Sequence, residues 1–459
     1  MGVTADLRTQ LLRLVPDEKR VSDGESVLDL HAADFSHHAP HRPDVVVFPE
    51  STQEVSAVLA WADGEGVPVV AFGAGSSLEG HVIPVAGGIS LDLTRMNRIL
   101  ELRPEDLTAT VQTGVTRLQL DAAAGPHGLF FPVDPGADAT LGGMAATNAS
   151  GTTTVRYGGM RAHVLALEVV LADGRVVRTG SRAVKTSAGY NLTHLFVGSE
   201  GTLGVITELT LRLRPIPELV VVARAAFPSV EAACRGAAAL VAAGVPMSRC
   251  ELLDAETIAA LNAYKGTSLP ESPYLFVELG SGGGGLADDL ETTRVLLEDE
   301  GATAFESESD PTARARLWEA RHDSLHASLA LAPGSKMMTT DVAVPVSQLA
   351  GAMEHARAVV EGSGLRGGVV AHAGDGNYHV AFLLDPGDEE SVARAARLNS
   401  ALVDDALARG GTCTGEHGIG VGKLAYLERE HGDLLPLMRG IKELFDPHGI
   451  LNPGKVLPQ

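Results

Sequence analysis

The stretch PDVVVFPESTQEVSAVLAWADGEGVPVVAFGAGSSLEG, residues 43–80, decides how the fold is read. Two short apolar runs, PDVVVFP and PVVAF, flank EVSAVLAWADGEG, whose apolar residues recur at helical spacing. The pattern is β-α-β, and its second strand runs straight into a glycine-rich loop, GAGSSLEG at 73–80. A nicotinamide-dinucleotide fingerprint needs G-x-G-x-x-G, but Leu78 follows Gly73 and Gly75 where the third glycine belongs. The later GIGVGK fails as an ATP-binding loop, because His417 takes the first glycine's place and Leu424 that of the Ser/Thr. What 73–77 does offer is a nest of backbone N–H groups with the hydroxyls of Ser76 and Ser77. Such a nest holds a pyrophosphate without cationic side chains.

Working outward, two more glycine runs stand in the same half: FPVDPGADATLGGMAATNASG at 131–151 and VGSEGTLGVITE at 197–208. One such run by itself reads as a plain turn. Together with the first they favour a large bound cofactor, with small residues where a flat ring lies against backbone. Strand-like segments GGISLDL, LTATVQTGV, LALEVVLADGRVVRTG and GVITELTLRLRP make residues 1–217 an α+β domain, with a hairpin signal at Asp173-Gly174. A composition shift at 218 opens alternating strands and helices, read as a second α+β domain over 218–413. Residues 414–459 form a closing segment that returns to the first domain.

The second domain carries AHAGDGNYHV at 371–380, and GEHGIG follows at 415–420. A two-residue turn on Asp375-Gly376 would set Ala373 against Tyr378 and His372 against His379. Directly opposed residues have Cβ atoms about 5 Å apart, so both imidazoles could grip one ion. Glu416 would add an oxygen ligand, and His417 beside it would be free to move a proton. Two nitrogens and one oxygen with open positions describe a catalytic divalent-metal site. Zn²⁺ or Mn²⁺ suits that mixed set, whereas Mg²⁺ prefers more oxygens. The plain alternative, two histidines decorating a hairpin, is outweighed by the EHG cluster set between glycines.

Composition narrows the rest. A chain of 459 residues is too long for one ordinary core. The net charge of −22 disfavours nucleic acid and anionic membrane faces, and obliges an anionic substrate to find a local cationic pocket. Cys234, Cys250 and Cys413 lack CxxC spacing, which excludes a disulfide framework and points to a reducing compartment. The first twenty residues read as a charged amphipathic helix rather than a signal peptide, and the longest apolar stretch is broken at Gly244. A cytoplasmic location follows as the expectation, with peripheral contact to a membrane partner left open.

These motifs together resemble the FAD-linked oxidases and dehydrogenases of the vanillyl-alcohol-oxidase type, in the branch of D-lactate dehydrogenase, glycolate oxidase and D-2-hydroxyglutarate dehydrogenase. The markers are PE-x-x-x-E-V at 49–55, GAGSSLEG, PVDPG, LGGMAATNASG, VGSEGTLGVITE, HAGDGNYH, GEHGIG and the terminal FDPHGILNPGK. The resemblance implies a two-subdomain FAD-binding domain of the p-cresol methylhydroxylase (PCMH) type. It also implies an α+β cap domain with an antiparallel sheet, followed by a C-terminal tail. Matched motif by motif, it places pyrophosphate on Gly73, Gly75, Ser76 and Ser77. Pro132, Asp134, Gly142, Gly143, Asn148, Ser150 and Gly151 would line the flavin and its ribityl chain, and Glu200, Gly204 and Ile206 the adenine end, with Asn452 reaching in from the tail. His81 departs from the LEGG or LEGQ pattern of such sequences; it is taken as incidental, and the FAD as non-covalent.

The implied reaction is oxidation of a D-2-hydroxy acid to the 2-oxo acid, with hydride passing to flavin and His417 as base. The resemblance assigns the substrate carboxylate to Arg321 and Lys336. Leu325 and Ala381 are apolar where members acting on dicarboxylic acids are expected to be polar, so D-lactate is favoured over D-2-hydroxyglutarate. The electron acceptor stays open among quinone, cytochrome and electron-transfer flavoprotein, and a homodimer is compatible with the sequence. Two other readings stand beside this one: the ether-lipid transferase of the same fold, whose contiguous histidine cluster is not found, and a zinc hydrolase built on His372, His379 and Glu416.

Overall fold

The protein is described here by a computed structural model that covers residues 2–385 and 387–458, apart from the side chains of residues 2–5, 319, 320, 322 and 325. It divides into two compact units, one of residues 1–151, 158–216 and 416–459, the other of residues 152–157 and 217–415. The junctions therefore fall at 216/217 and 415/416, against 217/218 and 413/414 read from composition, and the short segment 152–157 joins the second unit.

In the first unit the β-α-β stretch forms Val45–Val47, the helix Thr52–Glu65 and Val69–Phe72. Ser51 caps the helix by accepting from the Glu54 amide at 3.3 Å, and Gly66 ends it at φ +67. Its buried face, Val55, Val58, Leu59 and Ala62, follows the i, i+3, i+4, i+7 spacing. Burying each larger side chain contributes about 1.5–3 kcal/mol. The two strands are not neighbours: Ile89–Asp92 runs parallel between them, its Ile89 and Leu91 fully buried. At the end of the chain Leu451 bridges to Val69, and the Asn452 amide donates to the Val69 carbonyl at 2.8 Å. A second, five-stranded antiparallel sheet runs in the order Ile99–Arg103, Thr108–Gln112, Val205–Arg212, Val164–Val170, Val176–Gly180. These two sheets, each with its own apolar cluster, are the two α+β subdomains.

The second unit is built on one eight-stranded antiparallel sheet. Its central neighbours are Tyr274–Ser281, Met247–Leu253, Arg366–His372 and Asn377–Leu384. Most side chains of Met247–Leu253 and Asn377–Leu384 are buried, as expected of strands covered on both faces.

Candidate active site

In the first unit, Val69–Phe72 delivers the chain into Gly73–Ser77. A Cβ on Gly73 would lie 2.4 Å from Thr140 Oγ1, and Gly75 sits at φ +64 with the Phe72 ring 2.7 Å from where its Cβ would be. Only glycine fits either position. Among the described residues nothing accepts a hydrogen bond from the amides of Ala74, Gly75, Ser76 or Ser77. That row of N–H donors suits a pyrophosphate. Ser76 keeps its hydroxyl free of protein partners among the described residues, whereas Ser77 donates to Asp34 Oδ2 at 2.9 Å.

The neighbouring loops are packed as closely. Thr140 caps Leu141–Thr147 through the Gly143 amide at 3.3 Å, and a Cβ on Gly142 would lie 1.7 Å from Thr113 Oγ1. Asn148 ends that helix at φ +51, with its Oδ1 accepting from the Arg161 amide at 3.0 Å. A Cβ on Gly151 would lie 2.3 Å from the Asp134 carbonyl, so Pro132–Asp134 and Ser150–Gly151 lie side by side. Close backbone approach of this kind suits a flat ring, and the residues present fit FAD. Gly204 and Ile206 pack against Val169 within the five-stranded sheet.

Glu200, which the resemblance places at the adenine end, is committed elsewhere. Its carboxylate accepts from the amides of Ile419 at 2.7 Å and Gly420 at 2.8 Å. His81 Nε2 lies 3.3 Å from Oε1, near enough for an ion pair though not aligned as a hydrogen bond. Asn452 ties the pair down, its Nδ2 donating to the carbonyls of His81 at 3.0 Å and Glu200 at 2.8 Å. His81 is therefore not incidental: it is 4% exposed and faces a buried carboxylate. Burial opposes charge on both groups, yet their mutual attraction wins, with the two amides adding to it on Glu200; His81 is raised and Glu200 lowered. Burial also pushes the Lys455 ammonium down to about 8.

A lowered carboxylate stabilises above its ordinary value and a raised imidazole below its own, so the pair contributes most between 4.5 and 6.5. Glu200→Gln is expected to cost about 3 kcal/mol in that window. The loss should shrink as pH rises through the raised His81 value. Urea unfolding of both proteins across pH checks this, and a deficit independent of pH would assign the effect to the amides alone.

The second unit holds the histidines, and here the register differs from the sequence reading. His372 opposes Asn377, and His379 opposes Val370. The turn takes four residues, 373–376, because the amides of Ala373 and Gly374 donate to the Cys250 carbonyl on the neighbouring strand instead of closing a tight hairpin. The slip is two residues, an even number, so both histidines keep the same face as diagonal neighbours. Their rings meet edge to face with centroids 5.5 Å apart, and ring nitrogens lie within 4.8 Å of one another.

His372 Nδ1 lies 2.7 Å from Glu251 Oε1, and His379 Nδ1 lies 2.9 Å from the Thr340 carbonyl. Both partners are acceptors, which puts the proton on each Nδ1 and leaves the lone pair on each Nε2. A nitrogen pair prepared in this way fits a divalent ion. Asn377 Nδ2 donates to Asp341 Oδ1, and Thr414 Oγ1 to Asp341 Oδ2, both at 2.8 Å. Gly415 is pressed on this face, since a Cβ there would lie 2.1 Å from Asn377 Nδ2. Glu416 is the next residue, so its Cα starts about 3.8 Å from that of Gly415.

Arg321, on the helix Pro311–His322, reaches the same place: its Nε donates to Glu251 Oε2 at 2.7 Å. Lys336 does not. It pairs with Leu384, which puts it on the opposite face from His379 and about 17 Å along the strand at 3.4 Å per residue. The structure thus sets Lys336 away from the histidine face, contrary to the substrate contact expected from the resemblance. Glu251 is absent from the sequence reading, although a lone carboxylate among Cys250, Leu252 and Leu253 signals a buried partner. Ala381 shares the His379 face, while the Leu325 side chain lies outside the described residues.

Comparison with known proteins identifies the family. Residues 216–456 match the family model "FAD linked oxidases, C-terminal domain", and residues 43–180 match "FAD binding domain". A probable mitochondrial D-lactate dehydrogenase of Danio rerio is 46% identical, covering 97% of this chain and 90% of its own. The mitochondrial D-lactate dehydrogenase [cytochrome] of Arabidopsis thaliana is 42% identical over 99% of this chain and 81% of its own. Glycolate oxidase subunit GlcD of Bacillus subtilis is 34% identical over 99% and 97%. Among solved structures, p-cresol methylhydroxylase with substrate bound superposes with a TM-score of 0.80 at 18% identity, covering 99% of this chain and 97% of its own, a likeness of fold. The chain thus belongs to the FAD-linked oxidase family, alongside D-lactate dehydrogenases and glycolate oxidase subunits, and has the PCMH-type fold.

Proposed function

We propose that the protein oxidises a D-2-hydroxy acid, D-lactate foremost, to the 2-oxo acid. The observation that carries this reading is the face shared by His372, His379 and Arg321, where two imidazoles each held through Nδ1 stand with a guanidinium tied to Glu251. Bound FAD supplies the acceptor for the hydride that leaves the α-carbon. A divalent ion, Zn²⁺ or Mn²⁺, would be held by His372, His379 and Glu416 and would polarise the substrate hydroxyl. Arg321 takes the substrate carboxylate, since its Nε edge is already tied to Glu251 and its terminal nitrogens form a fork. His417 accepts the hydroxyl proton. The amides of residues 74–77 hold the cofactor pyrophosphate.

Ala381 supports a short substrate, because a second carboxylate beside an apolar side chain would be desolvated without a partner. Bracketed "cytochrome" in relatives' names supports a haem protein as electron acceptor, and the net charge of −22 favours a basic one. No helix among the described residues is long and apolar enough to cross a membrane. The test is anaerobic bleaching of the flavin by a panel of D- and L-2-hydroxy acids. D-Lactate should give the largest kcat/KM, at least tenfold above D-2-hydroxyglutarate as an order of magnitude. A larger value for the dicarboxylate would overturn the substrate assignment, and no bleaching by any member would return the zinc-hydrolase reading.

A further inference from the structure

We propose that Glu251 is a positioning residue shared by metal and substrate, so that ion loading and carboxylate recognition are set by one side chain. The inference rests on the reading of His372 as a ligand and Arg321 as the carboxylate clamp. Glu251 is fully buried in Met247–Leu253 between Cys250 and Leu252, directly opposite His372. Each of its oxygens is given to a different partner: Oε1 to His372 Nδ1 and Oε2 to Arg321 Nε, both at 2.7 Å. The first contact fixes the imidazole tautomer that leaves Nε2 for a cation. The second anchors one edge of the guanidinium and aims its terminal Nη edge outward, the geometry a carboxylate grips in bidentate fashion. A carboxylate buried this deeply needs both donors, because an unpaired charge there would be costly. Neither donor can swing away without exposing that cost, so the ligand and the clamp hold each other in place.

The role is separable from mere scaffolding. Glu251→Gln keeps size and one acceptor oxygen but presents an NH₂ to one of two donors. In the FAD-loaded full-length protein it should weaken Mn²⁺ binding, followed by titration with the metal alone, by about 10- to 100-fold. With Mn²⁺ raised to saturation, KM for D-lactate should still rise about tenfold, because the fork is no longer aimed. Flavin content and its visible spectrum should match wild type. In an Arg321→Met background at saturating Mn²⁺, E251Q should add no further rise in KM, since with the ion loaded Glu251 reaches substrate only through Arg321, while titration with Mn²⁺ alone should still show weaker binding. E251Q with unchanged Mn²⁺ affinity and KM but a lower melting temperature would reduce Glu251 to a structural residue. If E251Q does not fold, Glu251→Asp takes its place, since it keeps the charge but is a methylene too short to serve both donors, and the same two losses are expected. A wild-type protein that binds no Mn²⁺ or Zn²⁺ would sink the metal reading itself, a result distinct from equal binding by wild type and variant.

Discussion

Replacing His417 by asparagine is expected to lower kcat for D-lactate by roughly 10²- to 10⁴-fold, the range in which positioned proton transfer contributes. The backbone that presents this histidine is locked from one side. Gly418 sits at φ +83, where a Cβ would come within 2.7 Å of both Glu200 Oε1 and His81 Nε2, and the next two amides are bound by Glu200. His417 is mostly buried, its Nε2 3.9 Å from Glu416 Oε1. Asparagine keeps size and polarity but cannot take a proton near neutral pH. Flavin content should therefore stay at wild-type level while reduction by substrate slows. Anaerobic stopped-flow reduction measures both, and a rate within about threefold of wild type would remove His417 from the proton path.

His379→Ala should be as severe by a different route. The imidazole is 5% exposed, and its Nδ1 is held by the Thr340 carbonyl, so the Nε2 direction is fixed before any ion arrives. Removing it takes away one of two nitrogen donors on this face. Metal content should fall from near one per chain to near zero, and kcat by about 10³-fold, which corresponds to about 4 kcal/mol of lost Lewis-acid stabilisation. Folding should be little affected, because the Thr340 carbonyl can take a water in the space left behind. Elemental analysis beside steady-state kinetics distinguishes the outcomes. Full metal content with lost activity would mean that His379 serves substrate and not an ion.

Part of this site is legible in the residues alone. GAGSS declares part of its backbone need locally, because Gly75 sits at φ +64 against the Phe72 ring, whereas Gly73 is held to glycine by Thr140, far along the chain. The helix Thr52–Glu65 is legible because it is local, its cap, apolar stripe and terminal glycine all lying within sixteen residues, 51–66. The histidines are half legible. Their common face survives the register error because strand alternation has period two and the slip is even. Lys336 failed on that same alternation, since nothing in KMMT says which phase of the strand pairs with Leu384.

What the chain by itself determined was therefore each feature whose cause lies within a few residues: the turn at Gly75, helix phase, and the HAGDGNYH and GEHGIG ligand types. Only the tertiary structure decided which buried charges answer one another: Glu251 for His372 and Arg321, and Glu200 for His81 and the Ile419–Gly420 amides. The physical reason is distance along the chain. A buried carboxylate announces that it needs a partner, but partners 70, 121 or 220 residues away are chosen by strand register and loop return, which local patterns do not encode.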